Sequence, residues 1–255
     1  MFEYYIKYLD AHMRYHDSLK GDKAIIFIHG LGCAGSFDFP QMVLENDLKN
    51  YRLIFVDLLG AGYSDGPLHF NFKVKPHAKY LSDFVKHLKL KDFVIFGHSL
   101  GGAVAIELAN MCTNNVSQLI LAEGNLDPST KDMTSYKVAS YEEEDFVEYG
   151  FDYMVNRSFE KGNTMWSTTL SKCLPEAIYR ISQNAKLGSY MSWRQMFYDL
   201  PIKKSYLYGE YSLPNDNYIT LKNHGINMYV VSGAGHNMAW DNPMGLSKVI
   251  AKILK

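Results

Sequence analysis

The chain has 255 residues, 21% of them charged, and a formal net charge of −1, a balance that recruits neither nucleic acid nor an anionic membrane face. That length allows one α/β domain with an insertion and a large core, and argues against two independent domains. Cys33, Cys112 and Cys173 are widely spaced and odd in number, which argues against a disulfide framework and against a CxxC metal or redox site.

No apolar run approaches the roughly 18 residues of a membrane span. The opening Met1-Phe2-Glu3-Tyr4-Tyr5 lacks the basic-then-apolar order of a signal peptide. A cytoplasmic location, a small apolar or amphipathic substrate, and no cofactor, metal or nucleic-acid partner are the expectations.

In chain order, residues 2 to 9 and 11 to 16 alternate as two strands of a hairpin. Ala24-Ile25-Ile26-Phe27-Ile28 is a continuous apolar run, as in a strand buried on both faces, and it ends in His29-Gly30-Leu31-Gly32. Glycines there permit a sharp turn with unpaired N–H groups, which makes the Leu31 N–H a candidate oxyanion donor. Ser36 or Asp38 is a candidate cap for a helix running to about Leu48, with Pro40 in its first turn. Tyr51 to Asp57 is the next buried strand. The following Gly60-Ala61-Gly62 lacks the third glycine and the helix of a dinucleotide site. Residues 75 to about 90 form an amphipathic helix pattern, with Tyr80, Leu81, Phe84, Val85 and Leu88 on one side.

The most informative stretch is Phe93-Val94-Ile95-Phe96-Gly97-His98-Ser99-Leu100-Gly101-Gly102. A buried strand turns directly into a helix at Ser99, and glycines two positions to either side remove side chains that would collide in so tight a turn. The serine must then adopt a strained backbone, with its Oγ pushed out at the strand end and the new helix's N–H groups aimed at the same spot. The Leu100 N–H is the other candidate oxyanion donor. Taken alone, G-x-S-x-G also fits an ordinary glycine-rich turn with a capping serine.

Val116 to Ala122 is another apolar strand, ending at Glu123. From 126 to 200 no buried-strand run appears; aromatic residues and methionines, Trp166 and Trp193 among them, recur at helical intervals. This is expected to be a helical insertion covering the strand ends, most of its aromatics filling its own core and a few lining a pocket. The sheet resumes at Lys204 to Gly209, a helix spans about Asp216 to Asn223 with Gly225 as its stop, and Ile226 to Val231 is the last strand. His236 follows in a glycine-rich loop, before a terminal helix near Pro243 to Leu254.

Apolar strands alternating with helices imply a mostly parallel sheet with helices on both faces, eight strands counting the hairpin. The right-handed crossover rule brings their carboxyl ends to one edge, which gathers Leu31, Ser99, Glu123 and His236.

Gly97-His98-Ser99-Leu100-Gly101, His29-Gly30-Leu31-Gly32, Asp57-Leu58-Leu59-Gly60-Ala61-Gly62-Tyr63-Ser64 and Gly235-His236 together resemble the α/β-hydrolase fold family over essentially the whole chain. The resemblance implies a core from 1–125 and 201–255 with a helical cap at 126–200, Ser99 as nucleophile, His236 as base and then acid, and Leu31 and Leu100 as oxyanion donors. In the family's commonest pattern the triad acid follows the strand after the cap, where this chain has Gly209-Glu210-Tyr211-Ser212, with Ser212 at the aspartate position. A family variant places the acid directly after the strand preceding the cap, and Glu123 matches it. Glu210, then Asp216 and Asp127, are the alternatives. The expected activity is that of a serine hydrolase cleaving a small ester or related carbonyl compound through an acyl-enzyme. Cleavage of a carbon–carbon bond on the same scaffold, or ligand binding without catalysis, are the rivals.

Overall fold

The computed structural model describes residues 1–44 and 46–255. Eight strands form one sheet in the order β1-β2-β4-β3-β5-β6-β7-β8. They are β1 (Phe2–Ile6), β2 (Ala11–Asp17), β3 (Lys23–Ile28), β4 (Tyr51–Val56), β5 (Phe93–His98), β6 (Val116–Ala122), β7 (Lys203–Gly209) and β8 (Asn227–Val231). β2 pairs antiparallel with β1 and β4, and the other pairs are parallel.

Alternation along the central strands sends successive side chains to opposite faces, and both faces are covered. On one, Phe27, Phe55 and Phe96 stand side by side with ring centroids 5.1 Å apart from Phe27 to each neighbour. On the other, Ile26, Ile28, Ile54, Val56 and Ile95 meet the helices. This explains why the strand runs are apolar throughout rather than alternating.

The helices of the sheet layers are α1 (Gly35–Asp38), α2 (Val74–His87) and α3 (Leu100–Met111). Those inserted between β6 and β7 are α4 (Thr134–Val138), α5 (Glu143–Asp145), α6 (Phe151–Glu160), α7 (Thr164–Leu170), α8 (Pro175–Leu187) and α9 (Trp193–Asp199). The chain then forms α10 (Asp216–Asn223), α11 (Met238–Asp241) and α12 (Pro243–Ile253). Among the described residues no helix is long and apolar enough to cross a membrane.

Two local readings of the sequence are corrected. The hairpin's first strand stops at Ile6, and Lys7–Leu9 form a 3₁₀ turn before β2. The expected helix from Ser36 to Leu48 is not continuous: α1 ends at Asp38, and short 3₁₀ turns follow at Pro40–Leu44 and Asn46–Leu48, with residue 45 outside the described residues. Ser36 caps nothing, because its N–H and hydroxyl both donate to the Asp57 carboxylate at 2.8 Å. Asp38 is buried rather than capping. Phe39 closes α1 at φ −110°, ψ −5°, and Pro40 after it has no N–H with which to continue the helix.

Candidate active site

β5 delivers the serine. A Cβ on Gly97 would lie 2.6 Å from the Ala105 Cβ, and one on Gly101 only 2.2 Å from the His29 carbonyl oxygen, so the strand, the helix behind it and the loop after β3 meet only because both positions lack side chains. Ser99 itself sits at φ 51°, ψ −126°. Neighbouring backbone holds it there: its N–H donates to the Ala122 carbonyl at 3.0 Å, and its carbonyl accepts from Gly102 at 2.8 Å and Asn125 at 2.9 Å. Gly30 packs against it, since a Cβ there would stand 3.0 Å from the Ser99 Cβ. The N–H groups of Leu31 and Leu100, at the two loops flanking the serine, donate to no backbone acceptor among the described residues.

β6 and the loop after β8 supply the partners. His236 Nε2 lies 3.0 Å from Ser99 Oγ, and its Nδ1 lies 2.7 Å from Glu123 Oε2. An ionised carboxylate can only accept, so Nδ1 carries the proton and the Nε2 lone pair faces the serine hydroxyl. Glu123 is placed by a positive φ of 45° and by its own N–H donating to the Leu207 carbonyl at 2.9 Å. Its side chain is 12% exposed against 49% for the imidazole, so the carboxylate lies beneath a ring that faces solvent. Burial alone would raise the Glu123 pKa; hydrogen bonding and charge from His236, the Gly209 N–H at 3.0 Å and the Ser212 hydroxyl outweigh it and hold it below the usual glutamate value.

Of the alternative carboxylates none reaches His236. Glu210 accepts from the Gly233 N–H at 2.7 Å, Asp127 pairs with Arg194, and Asp216 lies exposed at the start of α10. Ser212, at the position of the commoner aspartate, is one of the groups that hold the Glu123 carboxyl below its usual value.

His98 is a site residue that the motif reading passed over. It is buried, which pushes its pKa down to about 3, helped by the neighbouring His236, so the ring is neutral. Its Nε2–H donates to the His236 carbonyl at 2.8 Å, which leashes the histidine loop to the serine elbow. A polar residue ending an otherwise apolar strand was the only sequence signal. His29 does similar work for the neighbouring loop: it accepts from the Leu58 N–H at Nε2, 3.0 Å away, and so carries its proton on Nδ1.

A cavity of about 610 Å³ opens over Ser99, walled by the strand-end loops on one side and the inserted helices on the other. Of the insertion's aromatic residues singled out in the sequence, Trp166 alone lines it, and its indole N–H donates to the Leu31 carbonyl at 2.9 Å. The lining is also more polar than an apolar ligand requires, with Asn125, Asn163, Asn215, Asn217 and Asn237 contributing. Among the described residues no group of three or more His, Cys, Asp or Glu side chains converges to hold a metal.

Fold, elbow and histidine loop define an α/β hydrolase. The model of the alpha/beta hydrolase fold family matches residues 23–243, and the chain belongs to that family. Among proteins related in sequence, a probable lysophospholipase, BODYGUARD 4 of Arabidopsis thaliana, is 30% identical over 123 residues, 48% of this chain and 29% of that protein. The chain spans about a third or less of the curated relatives it matches. An enol-lactonase from Burkholderia xenovorans superposes with a TM-score of 0.78 at 13% identity, covering 99% of both chains. An esterase from Thermogutta terrifontis superposes at 0.75 and 18% identity, covering 96% of this chain and 93% of that one.

Proposed function

We propose that this chain is a serine hydrolase that cleaves a small carboxylic ester through an acyl-enzyme, with Ser99, His236 and Glu123 as its triad and residues 126–200 as the cap over the site. The observation that carries this reading is the unbroken line of hydrogen bonds from Ser99 Oγ through both ring nitrogens of His236 to Glu123, 3.0 and 2.7 Å long. A serine hydroxyl is a poor nucleophile near neutral pH until an adjacent base takes its proton.

In the first half-reaction Oγ attacks the ester carbonyl carbon while Nε2 receives the hydroxyl proton. The carbonyl oxygen becomes an oxyanion between the N–H groups of Leu31 and Leu100. When the carbon–oxygen bond to the alcohol breaks, the imidazolium returns the proton to that leaving oxygen. Water then attacks the acyl-serine, giving its proton to Nε2, and the second tetrahedral intermediate collapses to the acid as the carbon–Oγ bond breaks and the imidazolium returns that proton to Ser99 Oγ. Throughout, Glu123 keeps the Nδ1–H tautomer and balances the transient positive ring.

Esterase, lactonase and lysophospholipase names among the relatives support carbonyl hydrolysis as the reaction class. The test is labelling by a fluorophosphonate probe, followed by peptide mass mapping. Wild-type protein should carry the adduct on Ser99, and Ser99→Ala should carry none; an adduct that survives the substitution ends the claim. Short nitrophenyl esters set against a β-diketone distinguish ester from carbon–carbon cleavage.

A further inference from the structure

The wall of the cavity away from the reacting atoms is a single hydrogen-bonded network. Arg194, on α9, places Nε 2.9 and 3.1 Å from the two Asp127 oxygens and Nη2 2.9 Å from Asn217 Oδ1. Asn217 Nδ2 donates to the Tyr208 hydroxyl at 3.1 Å, and that hydroxyl donates to Asn215 Oδ1 at 3.4 Å. The network holds one cation and one anion, so its charge is spent internally.

What is left to meet a ligand among the described lining residues is chiefly side-chain amide, with one unpaired carboxylate and no uncommitted lysine or arginine. Each side-chain amide offers both donors and an acceptor. Asn125, Asn163 and Asn237 also line the cavity, and none of their side chains appears in a hydrogen bond with another described residue. Asp132, a further carboxylate of the lining, has no ion pair among the described residues. An anionic substituent would therefore meet Asp132 with the one lining arginine already committed to Asp127. A bare alkyl chain would gain contact with Leu126, Met133 and Trp166 but would take water from the amides and satisfy none of their donors or acceptors. A hydroxyl or amide group can both donate and accept, and so matches what this wall presents.

We infer that the cavity selects an uncharged ester bearing hydroxyl or amide groups over a plain alkyl ester and over an anionic one. The inference rests on the hydrolase reading above and names the substrate class of that site. Whether the polar group sits on the acyl or the alcohol side is resolved by the arms of the test.

The experiment compares kcat/KM for ethyl propionate with ethyl lactate (hydroxyl on the acyl side), glycerol monopropionate (hydroxyls on the alcohol side) and monoethyl succinate (anionic). At least one hydroxylated ester should exceed ethyl propionate by roughly tenfold, with the succinate hemiester poorest, because a site built to hydrogen-bond discriminates against substrates that leave it unpaired. Ethyl propionate matching or beating both hydroxylated esters, or the hemiester leading, overturns the inference. The double variant Asn125→Leu, Asn163→Leu removes two of the uncommitted amides and should shrink the hydroxylated-to-alkyl ratio several-fold; a ratio that stays put also overturns it.

Calorimetric binding of the same four esters to Ser99→Ala separates this inference from the reaction itself. Tighter binding of a hydroxylated ester, with no turnover of any ester by wild type, would retire the hydrolase reading and keep the pocket's preference. Turnover lost in Ser99→Ala with alkyl binding tightest would do the reverse.

Discussion

The strand-end loops and the helices inserted between β6 and β7 face the same cavity but are held by different means. At the strand ends backbone packs on backbone: a Cβ on Gly101 or on Gly209 would stand 2.2 Å from the carbonyl oxygen of His29 or of Gly235. The insertion reaches the site through side chains, with the Trp166 indole on the Leu31 carbonyl and the Thr169 hydroxyl on the Gly32 carbonyl, both at 2.9 Å. Arg194 reaches Asp127 in the same manner. Backbone contacts of the first kind have no room to give, whereas contacts of the second kind can be exchanged one residue at a time. The side chains of the proposed triad thus sit on the rigid layer, and so do most of the cavity amides, since Asn215, Asn217 and Asn237 follow strand ends and Asn163 alone of the five stands on the inserted helices' segment.

The largest effect expected in the rigid layer is on turnover. Glu123→Gln should lower kcat by about 10³ to 10⁴, because the amide no longer enforces the Nδ1–H tautomer. Glu210→Gln and Asp216→Asn should leave steady-state rates within a few-fold. A larger loss in either than in Glu123→Gln would move the acid elsewhere. Next comes stability: Gly101→Ala should cost about 3 kcal/mol or prevent folding, since the new methyl would stand 2.2 Å from the His29 carbonyl oxygen and 2.6 Å from that of Ile28, backbone that cannot swing aside as a side chain can. In the adaptable layer Trp166→Phe deletes one hydrogen bond and should cost only about 1 kcal/mol. Urea unfolding of the two variants measures the contrast directly, and equal losses would break it.

The smallest effect concerns Ser212. Glu123 is held below its usual pKa, so its contribution to stability is present above the ordinary glutamate range and is lost as pH falls through the native value. Ser212→Ala removes one of the groups holding it down. The variant should be less stable by about 1 kcal/mol or less at pH 7, and the gap should close as pH falls through the lowered native value, where the carboxyl is protonated in folded and unfolded chains alike. A gap that keeps its size after the Glu123 carboxyl has been seen to protonate would assign Ser212 a role unconnected with Glu123.

Much of this was legible in the chain. The central strands announced themselves because burial on both faces demands unbroken apolar runs, and the elbow did so because its two flanking glycines are required by contacts a few residues away. Ser212 at the aspartate position pointed to Glu123 before any coordinates did. The segment after Ser36 reads as a capped helix and is not one, because the Ser36 hydroxyl is claimed by Asp57, just past the end of β4. His98 stayed hidden because its partner carbonyl lies 138 residues downstream. The aromatic wealth of the insertion suggested an apolar pocket, yet Phe146 and Phe151 pack within the insertion, Trp193 packs into the main core, and Tyr141, Tyr153 and Phe159 are exposed.

By itself, then, the amino-acid order determined the sheet and the strained serine corner, since each follows from periodicity or steric demand within a short stretch, whereas the preference for Glu123 over Glu210 rests on the family resemblance. Only the tertiary structure decided that an imidazole 137 residues away stands within hydrogen-bond reach of that serine, and that asparagines from separate loops share one cavity wall. Those are contacts between distant segments, and no local rule specifies which side chains a folded surface turns toward the same space.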